Sequence, residues 1–301
     1  MMVLDTTVRD VFVSSKDGTV IHSRQNGQGP GLVLLHGSMQ TAESFSQLAR
    51  HLGAHFTVSS VDRRGRRPSG HAGAAYSVQK EVDDLAAVLA QTGAAHVFGL
   101  SSGALIALRA ARELPAIARI ALYEPPLVTA GGPGSPLAFV QDYEDALAAG
   151  NLAGALVAML KGTDDPSLMT RLPRFVLKPL FRAMVAIDGW RNRQPNERPS
   201  IAELIPTAHH DLLVVGEMAG TLEHYRDLQT EVLLLGGDMS KPFLPMALDA
   251  LEKALPRAGR IRLQRVGHLA AADDGAPERV AAALIPFFST DRDRGGLGRP
   301  C

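Results

Sequence analysis

Short, almost wholly apolar runs alternate along the chain with longer segments whose apolar residues recur every three or four positions. An uninterrupted apolar run is typical of a strand that is buried on both faces of a sheet, whereas the second spacing is typical of an amphipathic helix. In the segment 78–91, for example, Val78, Val82 and Leu85 share one helical face. The predicted strands are 31–36, 57–61, 95–100, 119–123, 231–235 and 260–264.

Two further β-like runs, 7–14 and 19–25, precede these strands. They are separated by a segment that contains Asp17-Gly18, a pair of residues that favours a tight hairpin turn. Repeated strand–helix units imply a mostly parallel sheet with helices on both faces. We therefore predict an α/β fold in which the hairpin forms one edge of the sheet.

The alternation stops between residues 127 and 225, where no convincing strand pair is visible. We predict a core formed by 1–126 and 226–288, an inserted helical cap at 127–225, and a flexible polar tail at 289–301. An insertion at this point would lie over the carboxyl ends of the strands, where open α/β sheets bind their ligands. The helices predicted within the cap are 139–160, 171–187 and 205–218.

Composition and charge argue against several classes of protein, among them nucleic-acid binders and disulfide-linked or membrane-spanning proteins. The chain has 301 residues with 31 basic and 31 acidic side chains, and this zero net charge disfavours a nucleic-acid binder. The single cysteine, Cys301, excludes an intrachain disulfide and a cysteine-rich zinc site. Asp5 and Arg9 interrupt the N-terminal stretch before a signal-peptide core could form. The sequence also has no apolar run of about 18 residues, which is the length that a membrane-spanning helix needs. We expect a cytoplasmic protein, either a monomer or a homodimer, without nucleic-acid or membrane partners.

The strongest chemical motif is Gly99-Leu100-Ser101-Ser102-Gly103, which lies between a predicted strand and a predicted helix. This context is the one that a nucleophile elbow requires. Ser101 would occupy a strained turn, and the two glycines would leave room for the backbone to cross closely. The backbone N–H of Ser102, at the start of the helix, would face a developing oxyanion. The alternative interpretation of this motif is an ordinary strand-to-helix turn without a catalytic role.

Three other segments end predicted strands and complete a candidate catalytic set. His36-Gly37-Ser38 follows the first long apolar strand, and we assign the second oxyanion donor to the backbone N–H of Ser38, with His36 as a scaffold residue. Asp238 and His268 follow two late strands, so both should emerge at the same edge of the sheet as Ser101. His268 would act as general base, and Asp238 would orient and stabilise the imidazole.

Over residues 7–288 the sequence resembles the α/β-hydrolase superfamily. The resemblance rests on LLHGS, VDRRGRRPSG, GLSSGA, YEPP, LLLGGD and VGHLAAADD. It implies the α/β-hydrolase fold and the chain order Ser101, Asp238, His268. The DRRGR loop with YEPP is similar to that of a bacterial subgroup of small hydrolases. Two positions depart from the common pattern, since Arg67 replaces a glycine and Leu100 stands where many relatives carry His or Gln.

The resemblance also leaves open a second candidate for the acidic residue that would pair with His268. Glu124 follows a predicted strand, and some α/β-hydrolases, including certain haloalkane dehalogenases, place the acid after that strand. We prefer Asp238 because it preserves the usual layout. Dehalogenation itself is disfavoured, because the resembling dehalogenases carry Asp at the position of Ser101.

Two clusters of charged or titratable residues could indicate a phosphate-binding site or a metal site. Arg63, Arg64, Arg66 and Arg67 could bind phosphate, but we favour a loop whose arginines pair with carboxylates, because the net charge is zero. The segment 209–211 (His-His-Asp) lacks the usual spacing of metal ligands. We therefore expect neither a metal nor another cofactor.

The sequence thus predicts a serine hydrolase that acts on a small or medium apolar ester, thioester or lactone through an acyl-enzyme on Ser101. A cofactor-free haloperoxidase or perhydrolase uses the same triad, and a non-hydrolytic binding or biosynthetic protein can share the fold. The cap would wall an apolar pocket for the acyl group. The expected wall residues are Phe139, Met159, Phe175, Phe181, Met184 and Trp190.

Overall fold

The computed structural model describes residues 7–128, 139–162, 168–191 and 199–289. The strands of this part are β1 (Arg9–Ser14), β2 (Val20–Asn26), β3 (Gly31–Leu35), β4 (Thr57–Asp62), β5 (His96–Leu100), β6 (Arg119–Tyr123), β7 (Glu231–Gly237) and β8 (Ala258–Leu263). The helices are α1 (Ser46–Leu52), α2 (Val78–Thr92), α3 (Ser102–Glu113), α4 (Val140–Ala148), α5 (Leu152–Gly162), α6 (Leu168–Arg171), α7 (Arg174–Arg191), α8 (Ile201–Met218), α9 (Phe243–Ala254) and α10 (Pro277–Phe288).

The strands form one sheet in the order β1-β2-β4-β3-β5-β6-β7-β8. β1 pairs antiparallel with β2, and β2 pairs antiparallel with β4, while every other pair in the sheet is parallel. The predicted fold class is confirmed, with the hairpin β1-β2 at one edge. Because β3 and β5 to β8 run in the same direction, the loops that follow them meet at one edge of the sheet.

Helices cover the sheet on both faces, which explains why its strands lack the alternation of a half-exposed strand. On β5, Val97 packs in the layer formed by α2, α3 and α9, and the next residue, Phe98, packs in the layer formed by α1 and α10. Both side chains are fully buried. These two apolar layers fix β5 at the centre of the molecule and therefore fix the turn that follows it.

Helices α4 to α8 lie between β6 and β7 along the chain, and we call them the cap. The single helix predicted at 139–160 is two helices, because Gly150 takes a positive φ of 65° after α4 and breaks the ladder. α8 starts at Ile201, earlier than predicted, because Ser200 and Glu203 form a capping box there.

None of the described helices is long and apolar enough to cross a membrane. The predicted tail lies outside the described residues from position 290 onward, and so does Cys301.

Candidate active site

Ser101 occupies a tight turn between β5 and α3. Its backbone has φ 56° and ψ −121°, a combination that is strained for a residue with a Cβ. The turn is held by its own N–H, which donates to the carbonyl oxygen of Tyr123 at 2.9 Å. A Cβ at Gly99 would lie 2.4 Å from the carbonyl oxygen of Gly103, and one at Gly103 would lie 2.4 Å from that of Leu35. Glycine is thus required at both positions for the backbone to cross.

His268 forms a hydrogen-bonded pair with Glu124. The Nδ1 atom of His268 lies 2.8 Å from Oε2 of Glu124. The other carboxylate oxygen accepts a hydrogen bond from the backbone N–H of Gly237 at 2.7 Å, and Glu124 is fully buried. β6 supplies a second support, because the Tyr123 hydroxyl donates to the carbonyl oxygen of Gly267 at 2.8 Å. The ring of His268 is therefore held from its Nδ1 side, which leaves Nε2 for chemistry.

The structure corrects the expected partner of His268. It places the alternative acid, Glu124, on the imidazole, whereas Oδ1 of Asp238 is buried without a hydrogen-bond partner. The reason is local geometry after two neighbouring strands. Glu124 has a positive φ of 47°, and its longer side chain reaches both the imidazole and the N–H of Gly237. The sequence did indicate Glu124 as a possible acid, because it directly follows a predicted strand in the segment YEPP. Asp238 was preferred because it fits the usual arrangement of the three residues along the chain.

Ser101 and His268 line one cavity of about 380 Å³ beneath the cap. Most of its surface is apolar, as the predicted acyl pocket requires. The cap residues of its wall include Phe139, Met159 and Phe181, three of the six expected. The described residues that line it are Ser38, Ser101, Ser102, Pro126, Phe139, Leu156, Met159, Leu160, Phe181, Asp211, Leu212, Val215, Lys241, Phe243, Leu244 and His268.

The other three expected wall residues do not line this cavity. Phe175 and Trp190 are 77% and 64% exposed on α7, and Met184 packs against a small apolar cluster inside the cap. Apolar residues recur at helical spacing on two different faces of α7. The sequence alone therefore does not show which of the two faces packs against the rest of the protein.

Both predicted oxyanion donors lie beside Ser101. Ser102 is the first residue of α3, so its backbone N–H has no acceptor within the helix. Ser38 follows β3 and lines the cavity. A Cβ on Gly37 would lie 3.0 Å from Cβ of Ser101, so this turn passes close to the turn that carries Ser101. The N–H of Gly37 is already used, because it donates to Oε1 of Gln40 at 2.9 Å.

His36 is a scaffold residue, as its place at the end of β3 suggested. It is fully buried, with Nδ1 2.8 Å from the carbonyl oxygen of Gly37 and Nε2 accepting from the N–H of Arg63 at 3.3 Å. Burial and the charges of Arg66 and Arg63 hold the pKa of His36 well below its usual range. The imidazole is therefore neutral and accepts a hydrogen bond that stabilises the start of the arginine loop.

The arginine loop is an internal ion-pair network, which confirms the interpretation that its side chains pair with carboxylates. Arg63, Arg64 and Arg66 are buried, a state that guanidinium groups reach only when they are paired. The pairs are Arg63 with Glu81 (2.8 Å) and Asp211 (2.6 Å), Arg64 with Asp84 (2.6 Å) and Asp17 (3.0 Å), Arg66 with Asp211, and the exposed Arg67 with Glu203 (2.5 Å).

Asp211, on α8 of the cap, is a residue whose place the sequence analysis missed. Its carboxylate accepts hydrogen bonds from the hydroxyl of Ser102 at 2.7 Å and from Arg63 at 2.6 Å, and it also pairs with Arg66. Burial alone raises the pKa of Asp211, but the charges of Arg66 and Arg63 outweigh burial and hold that pKa well below its usual range. A buried carboxylate of the cap is thus hydrogen-bonded directly to the residue that follows Ser101.

The neighbouring histidines face other partners. His209 Nδ1 lies 2.7 Å from a carboxylate oxygen of Glu144, and the ring of His210 lies 4.5 Å from that of Tyr76. In the described ranges, no group of three or more His, Cys, Asp and Glu residues could hold a metal ion.

Comparison with known proteins shows that the chain is similar to hydrolases. A model described as "Alpha/beta hydrolase family" matches residues 32–283. The uncharacterized hydrolase YraK of Bacillus subtilis is 40% identical over 95 residues, which are 30% of this chain and 35% of that protein. The matched segment therefore spans about a third of that relative.

Two further matches span nearly the whole chain. The 2-(acetamidomethylene)succinate hydrolase of Mesorhizobium japonicum is 25% identical over 274 residues, which cover 89% of this chain and 91% of that protein. The crystal structure of an alpha/beta hydrolase from Sphaerobacter thermophilus superposes with a TM-score of 0.73 at 28% identity, and covers 93% of this chain and 100% of that chain.

Proposed function

The chain belongs to the alpha/beta hydrolase family, and from this premise we propose that it is a serine hydrolase of small or medium apolar esters, thioesters or lactones. The observation that carries the proposal is the arrangement around one apolar cavity. Ser101 lies on a strained turn, and His268 faces the same cavity while its far nitrogen is bound to the buried Glu124. Such an arrangement suits acyl transfer through a covalent intermediate.

In the proposed acylation step, Oγ of Ser101 attacks the substrate carbonyl carbon while its proton passes to Nε2 of His268. The carbonyl oxygen becomes an oxyanion, which the backbone N–H groups of Ser102 and Ser38 would stabilise. As the tetrahedral intermediate collapses, the bond to the alkoxide or thiolate breaks, and this leaving group takes the proton from His268. The products of the step are the free alcohol or thiol and an acyl ester on Ser101.

Deacylation repeats the sequence with water as the nucleophile. His268 removes a proton from water, the hydroxide attacks the acyl carbon, and the bond to Oγ of Ser101 breaks as the proton returns to it. Through both steps Glu124 orients the imidazole and stabilises its charged form, which is the role we assign to it in place of Asp238. None of these steps requires a metal or cofactor.

The nature of the cavity supports an apolar acyl group. Phe139, Met159 and Phe181 of the cap region line it together with Ser101 and His268. A hydrocarbon chain that fills this space would lose contact with water, which favours binding by about 0.8 kcal/mol for each buried methylene group.

Labelling with a fluorophosphonate probe tests the proposal most directly. We expect the wild-type protein to form a stoichiometric adduct that peptide mapping places on Ser101, and to hydrolyse p-nitrophenyl butyrate. The variant Ser101→Ala should form no adduct and should lose about 10⁴-fold or more in kcat, because the triad acts as a unit.

The exposed Ser46→Ala change on α1 is the matched control and should leave both readouts unchanged. A folded wild-type protein that reacts with neither the probe nor any ester would contradict the proposal and favour a binding protein. Peroxide-dependent halogenation without ester hydrolysis would favour the haloperoxidase alternative.

A further inference from the structure

Two turns from different parts of the chain carry the proposed oxyanion donors. The first is 36–40, which follows β3 and contains Ser38, and the second is 99–103, which leads into α3 and contains Ser102. We call them the two oxyanion turns. An oxyanion gains most when both N–H donors lie about 2.7–3.1 Å from one oxygen atom. The distance between the two turns therefore has to be fixed closely.

The backbone of each oxyanion turn is strained. Met39 in the first turn has a positive φ of 55°, and Ser101 in the second has one of 56°. Both values lie in the left-handed region, which is costly for a residue with a Cβ. Such conformations persist only where the surrounding structure holds them. Each turn therefore needs support from outside its own segment.

The side chain of Arg63 contacts both oxyanion turns with one nitrogen atom. Nη1 of Arg63 lies 3.3 Å from the carbonyl oxygen of His36 in the first turn and 3.1 Å from Oγ of Ser102 in the second. The backbone N–H of Arg63 also donates to Nε2 of His36 at 3.3 Å. The side chain is fully buried, so these contacts lie in a poorly solvated environment where hydrogen bonds are stronger.

Two carboxylates hold this guanidinium from opposite elements. Oδ1 of Asp211, on α8 of the cap, lies 2.6 Å from Nη1 of Arg63 and also accepts from the hydroxyl of Ser102 at 2.7 Å. Oε1 of Glu81, on α2, accepts from Nη2 at 2.8 Å and from Nε at 3.2 Å. The planar group is thus fixed between the cap and α2, and it cannot follow a movement of either turn without breaking an ion pair.

We propose that Arg63 is a positioning residue that sets the distance between the two oxyanion turns. It is not among the described residues that line the cavity, and it acts through His36 and Ser102. By holding both turns it keeps the N–H groups of Ser38 and Ser102 directed at one point. This inference rests on the serine chemistry proposed above, and it gives the arginine loop a role in that chemistry.

The competing explanation is that Arg63 only balances buried negative charge, and its neighbour Arg64 offers a matched comparison. Arg64 is equally buried and pairs with Asp84 of α2 at 2.6 Å and with Asp17 at 3.0 Å. In the described part of the chain its side-chain hydrogen bonds reach these two carboxylates and neither oxyanion turn. Arg64→Gln therefore removes a buried, paired arginine from the same loop without touching the turns.

A thionoester substrate separates the action of the oxyanion donors from the stability of the protein. When sulfur replaces the carbonyl oxygen, the two N–H donors stabilise the tetrahedral intermediate less, because sulfur is a weak acceptor. The measured quantity is kcat/KM for p-nitrophenyl butyrate divided by kcat/KM for the corresponding p-nitrophenyl thionoester. Both values come from one preparation, so any unfolded fraction cancels in this ratio.

We expect Arg63→Gln to lower kcat for p-nitrophenyl butyrate by about 10²-fold, the loss that a misplacement of about 1 Å can cause. KM should change little, because the oxyanion forms only during the reaction. The ratio of ester to thionoester should fall by at least about tenfold. Ser102→Ala keeps the N–H but removes one contact with Arg63, so it should lower the ratio by a smaller factor.

Arg63→Lys separates geometry from charge. Lysine keeps the positive charge beside Glu81 and Asp211, so it should resist urea better than Arg63→Gln does. Its single ammonium group cannot reproduce the planar contacts with both turns, so the ratio should stay low. Arg64→Gln should lower resistance to urea and leave the ratio at the wild-type value.

The inference is overturned if Arg63→Gln and Ser102→Ala both keep the wild-type ratio. It is also overturned if Arg63→Lys restores the ratio together with stability, because charge balance would then explain the network. Should Arg63→Gln fail to fold, the ratio in Ser102→Ala decides alone. In each of these cases wild-type turnover and labelling of Ser101 would still support the serine hydrolase. A wild-type protein without ester turnover would overturn both proposals.

Discussion

Glu124 and Asp238 each follow one of two neighbouring strands of the sheet, and it is Glu124 that is hydrogen-bonded to His268. Glu124 has a positive φ of 47°, and its Oε2 lies 2.8 Å from Nδ1 of His268. Gly237 then completes the site by donating its N–H to the second carboxylate oxygen of Glu124. The partner of His268 therefore depends on the two loops that follow these neighbouring strands.

We expect Glu124→Gln to lower kcat for p-nitrophenyl butyrate by about 10³ to 10⁴-fold, because an amide cannot stabilise the imidazolium that forms during acyl transfer. Asp238→Asn should lower it by less than about tenfold, since Asp238 makes no hydrogen bond to His268. Melting temperatures of both variants will separate chemistry from loss of fold. A larger loss of kcat in Asp238→Asn would return the acid role to Asp238.

At the scale of the element, α7 has two apolar faces, of which one is packed inside the cap and the other is exposed. Phe181 on its inner face lines the cavity that Ser101 and His268 also line, whereas Trp190 on its outer face is exposed. The two rings therefore form a natural pair of test and control for the proposal that the cap sets acyl preference.

We expect Phe181→Ala to shift the preference in kcat/KM toward longer acyl chains in a series of acetyl to decanoyl esters, because it enlarges the cavity. One methylene in an apolar pocket is worth about 1–3 kcal/mol of discrimination. The same change should lower the free energy of unfolding by about 3–5 kcal/mol, since the ring packs inside the cap. Trp190→Ala should leave the chain-length profile unchanged and alter stability by about 0.5 kcal/mol or less. An equal shift in both variants would mean that α7 does not wall the pocket in the way described.

At the scale of the whole molecule, a buried ion-pair network joins the cap to the core. Asp211 on α8 contacts Ser102 of the core and pairs with Arg63 and Arg66, which lie in the loop after β4. These groups are buried, so removing one partner leaves uncompensated charge in a poorly solvated site.

We expect Asp211→Asn to lower the free energy of unfolding by about 3–5 kcal/mol at pH 7, measured by urea titration. The pKa of Asp211 is lowered in the folded state, so its stabilising contribution is present above the unfolded pKa of about 3.9 and is lost as pH falls below that value. The difference between wild type and variant should therefore shrink below about pH 4. The exposed Glu203→Gln, which breaks the surface pair with Arg67, should cost about 1 kcal/mol or less. A difference between wild type and Asp211→Asn that stays constant down to pH 2 would contradict this account.

The sequence by itself determined the features that depend on neighbours along the chain. Apolar runs such as 95–100 predicted strands buried on both faces, and the glycines at 99 and 103 predicted the crossing beside Ser101, because a Cβ at either position collides with backbone. The hairpin at the sheet edge followed from turn residues and apolar spacing in the same way, and the predicted strand ends lie at most two residues from the observed ones.

Only the tertiary structure decided which distant groups meet. Arg63 and Asp211 lie 148 residues apart, and nothing in either segment specifies the other as its partner. The choice of Glu124 over Asp238 depended on the path of two loops at one edge of the sheet. Both faces of α7 are apolar, so the sequence does not distinguish them. The packing of α7 against α5 within the cap decides which face is buried. Local patterns fix the elements, whereas the contacts between elements depend on how the packed layers place them in space.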